Sequence, residues 1–156
     1  MSVESAAWAP PEPAQGQISW SRSWRIVTYR PGPVEGTRVY LALSPESLPE
    51  AYAAVFPLLE SRQVNHRHAR TPEVLRAAEA HPIWAGKAVV IEVPGAPDPL
   101  VAELDGALAG LGLSGPPALS GARPVGGQSG LVFISRTEAA VESGDRRERL
   151  ARLLGE

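Results

Sequence analysis

Between Val64 and Val93 the chain gathers most of the side chains that could do chemistry. The run V-N-H-R-H-A-R-T-P-E-V-L places His66, Arg67, His68 and Arg70 just ahead of a helix start at Thr71-Pro72. Lys87, the only lysine in 156 residues, stands where an apolar strand begins. His66 and His68 are two apart, so on a strand they share a face, where they could bind a metal or serve as a base near neutral pH. The third histidine is His81, and no nearby carboxylate completes a ligand set, so no metal is expected. Arg67, Arg123 and Arg136 together could hold an anion, although each alone reads more simply as a surface charge. Tyr40 sits in an apolar strand, where the plain reading is a core tyrosine and the sharper one a catalytic or substrate-contacting residue. Gly126-Gly127-Gln128-Ser129-Gly130 is not a phosphate loop, because a strand follows it and no Lys-Ser/Thr closes it.

Composition narrows the classes. A chain of 156 residues is naturally one domain, and its 44% hydrophobic content is enough for a real core. A net charge of −2 argues against unspecific binding to nucleic acid or an anionic membrane. The absence of cysteine removes disulfides, thiolate metal sites and thiol nucleophiles together. No apolar run reaches the length of a membrane span, and residues 1–17 lack a basic start with an apolar centre, so the expected location is cytoplasmic.

The elements that must position these groups follow from pattern. Residues 1–17, rich in Pro and Ala, are expected to be a disordered or loosely draped tail with Trp8 as its one anchor, and residues 18–156 to form a single domain. Trp24–Tyr29 and Thr37–Leu43 alternate as strands around the turn cluster Pro31–Gly36, which predicts a hairpin. Leu48, Tyr52, Val55 and Leu59 mark a helix, with Ser47-x-x-Glu50 as a capping box and Pro57 expected to kink or shorten its last turn. Gln63–Ala69 reads as a short strand. Thr71-Pro72 starts a second helix, and Lys87–Val93 is apolar enough to be central in a sheet. Leu100, Leu104, Leu108 and Leu111 stripe a third helix, Leu113–Gly130 is a long connection of the functional-loop kind, and Leu131–Ser135 is the last strand. Asp145–Leu154 reads as a terminal helix with a leucine face and an arginine face. The sum is an α+β domain with a mixed or antiparallel sheet of about four to five strands and about three to four helices.

Several motifs, in order, carry a family resemblance. T-R-V-Y-L-A-L-S-P-E-S (Thr37–Ser47), V-N-H-R-H-A-R-T-P-E-V-L (Val64–Leu75), G-K-A-V-V-I-E-V-P (Gly86–Pro94) and G-P-P-A-L-S-G-A-R (Gly115–Arg123) resemble the lyase domain of class III and IV lanthipeptide synthetases, which is itself similar to phosphothreonine lyases. The resemblance covers about two thirds of the chain and implies a phosphothreonine-lyase-like fold, no cofactor, and β-elimination of phosphate from phosphorylated Ser or Thr in a precursor peptide. Elimination needs a base for the Cα proton, an acid for the leaving group and cations for its oxygens. Here the family's acid, a histidine, aligns with Tyr40, its base lysine with Arg67, and the aspartate of its last loop with Gly121; Lys87 is retained and Arg123 is slightly displaced.

That pattern predicts a lyase-like subunit that has lost elimination. It would bind the precursor peptide and assist dehydration or ring formation with a separate kinase and a separate lyase, His66 or His68 deprotonating the thiol if it cyclises. A non-enzymatic binding module or chaperone is the alternative, and an active lyase using Lys87 as a displaced base is a third reading.

Overall fold

The computed structural model describes residues 8–30, 36–116 and 118–137, with Arg136 and Thr137 described by their backbone. Strands are β1 (Gln17–Trp20), β2 (Trp24–Thr28), β3 (Gly36–Ala42), β4 (His66–Ala69), β5 (Lys87–Pro94), β6 (Arg123–Pro124) and β7 (Val132–Thr137). Helices are α1 (Leu48–Arg62), entered through a 3-10 turn at Pro45–Ser47, α2 (Pro72–Ala78) and α3 (Asp98–Ala109). The strands form one sheet in the order β1-β2-β4-β5-β3-β7-β6. Every neighbouring pair is antiparallel.

β5 is central, as its sequence demanded. Lys87 to Ile91 are all buried, which a strand achieves only with cover on both faces. On one face α1 and α3 lie over Val39, Leu41, Val89 and Ile91, contributing Leu48, Tyr52, Val55, Leu59, Leu100, Leu104 and Leu108 to one continuous core. The helical stripes read from the sequence are therefore the buried ones. The other face is covered in part by the connection after α3, whose Leu119 packs with Tyr40, Ala42, Val90 and Phe133.

Four expectations are corrected. The sheet has seven strands rather than four to five, the additional ones being the short edge strands β1 and β6, mostly or wholly exposed and so without an apolar signature. β2 and β3 do not form a hairpin: β4 and β5 lie between them, because β4 pairs with β2 and β5 with β3. The capping box at Ser47 is not made; its hydroxyl accepts instead from Ser44 Oγ at 3.0 Å and Ser114 N at 3.2 Å, tying the helix start to the connection after α3. α1 runs through Pro57 to Arg62, since Pro57 and Ala53, whose carbonyl loses its donor, both lie on the exposed side where water can replace the bond. Thr71, by contrast, caps α2 as read, accepting from Val74 N at 3.1 Å.

Residues 8–16 run beside α1. Trp8 sets its ring 5.4 Å from that of His68. Other contacts join it: Pro11 O accepts from Arg25 at 2.8 Å, Ala14 N donates to Glu60 at 2.5 Å, and Gln63 bonds Gln15. The turn residues 31–35 and the helix read at Asp145–Leu154 lie outside the described residues.

Candidate functional site

Register decides which groups meet. Residues directly opposite across an antiparallel ladder share a face. Arg25 is opposite His68, Val27 opposite His66, and His66 and His68 are opposite Ile91 and Val89. These all look toward the helices. The alternate row, Ile26, Arg67, Val90, Tyr40 and Phe133, crosses the sheet on the opposite face. Arg67 and Tyr40 are thus two strands apart in one row, about 10 Å between their backbones.

Lys87 joins them through a bulge. Leu41 is opposite Val89 but Ala42 is opposite Lys87, so Ala88 is the extra residue. Strict alternation would turn Lys87 toward the helices with Val89; the bulge re-aims it. Its Nζ lies 4.8 Å from the centre of the Tyr40 ring and 5.7 Å from that of Trp84. Arg67 stacks its guanidinium 4.9 Å from the Trp24 ring and 5.4 Å from the Trp84 ring. Trp84 is therefore common to both cations, and with Trp24, which it meets edge-on at 5.5 Å, it holds them apart on one apolar shelf.

The polar fittings on this face are incomplete. Tyr40, 5% exposed, accepts a hydrogen bond from Ser135 Oγ at 3.0 Å. Arg67 Nε is buried and has no partner, the only such side-chain atom among the described residues. Burial pushes the Arg67 guanidinium below its ordinary value and Arg38 adds to this, while Glu92 and Tyr40 oppose it. A guanidinium nonetheless stays protonated in water at any pH at which the fold survives, so Arg67 offers charge and donors but no base. Arg67 lines a hollow of about 190 Å³ with Ile26, Asn65 and Glu92, and a separate one of about 410 Å³ lies against Trp24, Trp84 and Lys87.

His66 and His68 share a face, as their spacing required, but it is the helix-covered face, and they are 3% and 0% exposed. His66 Nδ1 donates to Val64 O at 3.0 Å, leaving Nε2 to accept from Tyr52 OH at 2.8 Å. His68 Nδ1 donates to Ala69 O at 2.7 Å, leaving Nε2 to accept from Arg25 at 3.1 Å. Burial lowers the two imidazoles to about 4 and about 3, with Arg25 pushing the same way, against their backbone acceptors. Both are neutral, fully bonded and closed off by the sheet from Tyr40 and Lys87. No group of three or more His, Cys, Asp or Glu that could hold a metal occurs among the described residues. Arg123 lies opposite Ile134, on the helix side of the sheet's far edge beside Asp98, away from Arg67. Arg136 is opposite Thr37 in β7, and its side chain lies outside the described residues.

Three contributors escaped the sequence reading. Trp24 and Trp84, far apart in sequence and not polar, gave no signal of a site. Asp105 is 2% exposed inside α3, and its carboxylate accepts from Gln128 N, Ser129 N and Ser129 Oγ at 3.0, 2.9 and 2.6 Å. Burial pushes that carboxyl up, but the Ser129 and Gln128 donors outweigh it and hold it below the ordinary range. It anchors the Gly126–Gly130 turn just ahead of β7 and Ser135. Glycine is required at Gly126, where a Cβ would come within 2.5 Å of the Asp105 carboxyl.

Solved structures share this fold. The phosphothreonine lyase SpvC, an effector from Salmonella, superposes with a TM-score of 0.64 at 14% identity, covering 94% of this chain and 80% of that one. The type III effector/phosphothreonine lyase OspF from Shigella flexneri gives 0.63 at 11%, covering 78% and 70%, and the VirA (SpvC) phosphothreonine lyase effector of Chromobacterium violaceum gives 0.60 at 14%, covering 80% and 66%. No family model and no curated protein matches the chain by sequence. The architecture is thus phosphothreonine-lyase-like, which bears out that half of the resemblance; at these identities the likeness is one of fold. No helix among the described residues is long and apolar enough to cross a membrane.

Proposed function

From a fold shared with phosphothreonine lyases, we propose that this chain is a lyase-like peptide-binding protein that grips phosphorylated Ser or Thr without eliminating the phosphate. The observation that carries the reading is Arg67: a guanidinium stacked on two indoles, its buried Nε left without an acceptor, beside Lys87 and the Tyr40 phenol. Nε itself is enclosed, but Arg67 as a whole is only half-buried, so the rest of its guanidinium is what would meet a phosphate oxygen, and charge-assisted bonds to Arg and Lys in a poorly hydrated cleft are the strong kind. Elimination asks for more. The positions where the resembled lyases carry a histidine acid and a lysine base hold a phenol and a guanidinium, and a guanidinium cannot take the Cα proton.

In the pathway that the sequence motifs suggest, the ligand is a lanthipeptide-type precursor peptide, and the chain works beside a separate kinase and a separate lyase. It would keep phosphorylated intermediates bound while the partner lyase acts. The neutral, enclosed state of His66 and His68 weighs against their deprotonating a thiol, so a binding role is preferred to cyclisation.

The test uses a phosphoserine peptide and its unphosphorylated twin, with quenching of tryptophan fluorescence as readout, since Trp24 and Trp84 frame the cations. Phosphorylated peptide should bind preferentially, Arg67→Ala and Lys87→Ala should each weaken it at least about tenfold, and no phosphate should be released. Release by the wild-type chain, abolished in Lys87→Ala, would instead establish the active-lyase reading. Equal affinity for the two peptides would remove the phosphate from the proposal. Capture of a kinase and lyase encoded beside it would support the complex, and failure to co-purify with either would count against it.

A further inference from the structure

The hollow beyond Lys87 is walled mostly by apolar groups. It opens between the start of β2, α2 and the turn before β5, and its walls are Trp24, Ala69, Val74, Leu75, Ala78 and Trp84. Its volume of about 410 Å³ is in the range of sites that enclose a small ligand or a large side chain. What keeps it open is residue size: Ala69 and Ala78 stand where larger apolar residues would fill the space between helix and sheet. The charged lining is Arg22 and Lys87, with His81 beside them, and no carboxylate faces in. Ile83, 54% exposed, lies on the turn that forms its rim.

We infer that this pocket takes a large apolar or aromatic side chain of the bound peptide, one or two residues from its phosphorylated residue. This rests on the phosphopeptide reading of the neighbouring cations. Continuity argues for it: Trp84 and Lys87 belong to both places, so a chain whose phosphate lies on Lys87 and Arg67 brings its flanking residue over the hollow. Successive residues of an extended peptide advance about 3.3 Å and point to alternate sides, a reach comparable with the 5.7 Å from Lys87 Nζ to the Trp84 ring centre. Charge agrees, because a wall with basic groups and no acid suits an apolar body attached to an anionic chain. The pocket therefore supplies sequence selectivity that phosphate contacts alone cannot.

The measurement is peptide binding by the full-length chain, followed by fluorescence anisotropy. Four peptides are compared: Leu or Ala beside the modified position, each with and without phosphate. The Leu peptides should bind about tenfold better than the Ala peptides. Ala78→Phe, which fills the pocket from the half-exposed end of α2 and leaves both Arg67 and Lys87 in place, should abolish that ratio and leave the phosphate preference of the Ala peptides intact. Loss of phosphate preference with the Leu ratio retained would overturn the phosphate reading alone. A Leu ratio of one in the wild type, or a ratio unmoved by both Ala78→Phe and Ala78→Leu, would overturn the pocket. So would a fall in melting temperature or a change in oligomeric state on filling it, since the pocket would then already be occupied by this chain or by a second copy.

Discussion

Three consecutive residues of β4 divide the molecule. His66 and His68 look into the helix-covered side, Arg67 into the open one. On the helix side a second buried arginine, Arg25, is 1% exposed, yet its donors reach His68, Tyr52, Pro11 and Glu12. Tyr52 completes the set, its phenol pushed up to about 12 chiefly by burial, against the lowering effect of Arg25. On the open side Arg67 and Lys87 rest on aromatic rings, and Arg67 Nε bonds to nothing. Both regions bury cations. The difference is that one has its acceptors within the chain, and the other keeps a buried donor without one. A saturated polar network fixes a fold, whereas a deficient one in a cleft is where a ligand belongs.

The sharpest way to break this contrast is to remove each arginine. Arg25→Ala leaves His68 Nε2 without its donor in a dry interior, takes one of the two partners of Tyr52 OH and the donor to the Pro11 carbonyl, and should cost about 3 kcal/mol or more of stability. Arg67→Ala gives up no satisfied hydrogen bond at Nε but loses the stacking on Trp24 and Trp84, and should cost about 1–2 kcal/mol, less than Arg25→Ala, while weakening phosphopeptide binding. Urea denaturation of both variants, with peptide titration at a temperature where each is folded, reads the two effects. Equal destabilisation by the two substitutions would mean that Arg67 is as structural as Arg25.

Acid sharpens the same contrast. His66 and His68 have folded values near 4 and 3 against an ordinary 6.5, so the unfolded chain binds protons more readily than the folded one throughout that interval. Their contribution is complete above about pH 6.5 and is lost as the pH falls toward 4, each histidine costing up to about 1.4 kcal/mol per pH unit. Melting temperature should therefore drop steeply between pH 6 and pH 4.5, and His66→Gln or His68→Gln should flatten the slope. A slope unaltered by either substitution would place the acid sensitivity elsewhere. A smaller effect belongs to Asp105→Asn, which keeps the shape but turns an NH2 toward the Gln128 or Ser129 amide. It should cost about 1–2 kcal/mol and speed hydrogen exchange at those two amides, with no effect expected at Gly110.

How much of this could be read beforehand follows the range of the interactions. The buried faces of α1 and α3 and the centrality of β5 were legible, because periodicity and a continuous apolar run report local environment directly. The β2–β3 hairpin was misread because nearness in sequence stood in for pairing, and pairing was decided by β4 and β5, some forty to sixty residues on. Parity correctly joined His66 to His68 but could not say which face the helices would take. Lys87 is the instructive residue: alternation alone sends it to the wrong side, and only the bulge at Ala88, invisible in a run of Ala and Val, brings it to Tyr40. The tryptophans that frame the cations were unreadable as site residues for the same reason; nothing links Trp24 to Trp84 until the sheet is assembled.

The smallest expected signal asks whether the open face differs from a working lyase by its proton-transferring groups alone. The resemblance names three replacements, Tyr40→His, Arg67→Lys and Gly121→Asp. Lysine at Arg67 would be an amine in a dry, cation-rich setting, and both influences favour its neutral, basic form. Histidine at Tyr40 would be an acid with an ordinary value close to the working pH. Gly121 has φ +72, a strained region for most side chains, but no atom lies within 4 Å of an added Cβ, and aspartate is among the residues that tolerate such backbone. The fold should therefore admit all three together. Positioned acid–base catalysis contributes about 10²–10⁴-fold, so the triple variant should release phosphate from a phosphoserine peptide slowly but at least about a hundredfold above the wild-type background, with a new absorbance or mass loss marking the dehydro residue. Single replacements should release less, since base and acid act on the same step. A triple variant that binds the phosphopeptide as tightly as the wild type and still releases nothing would show that more than the proton pair separates this face from an elimination site.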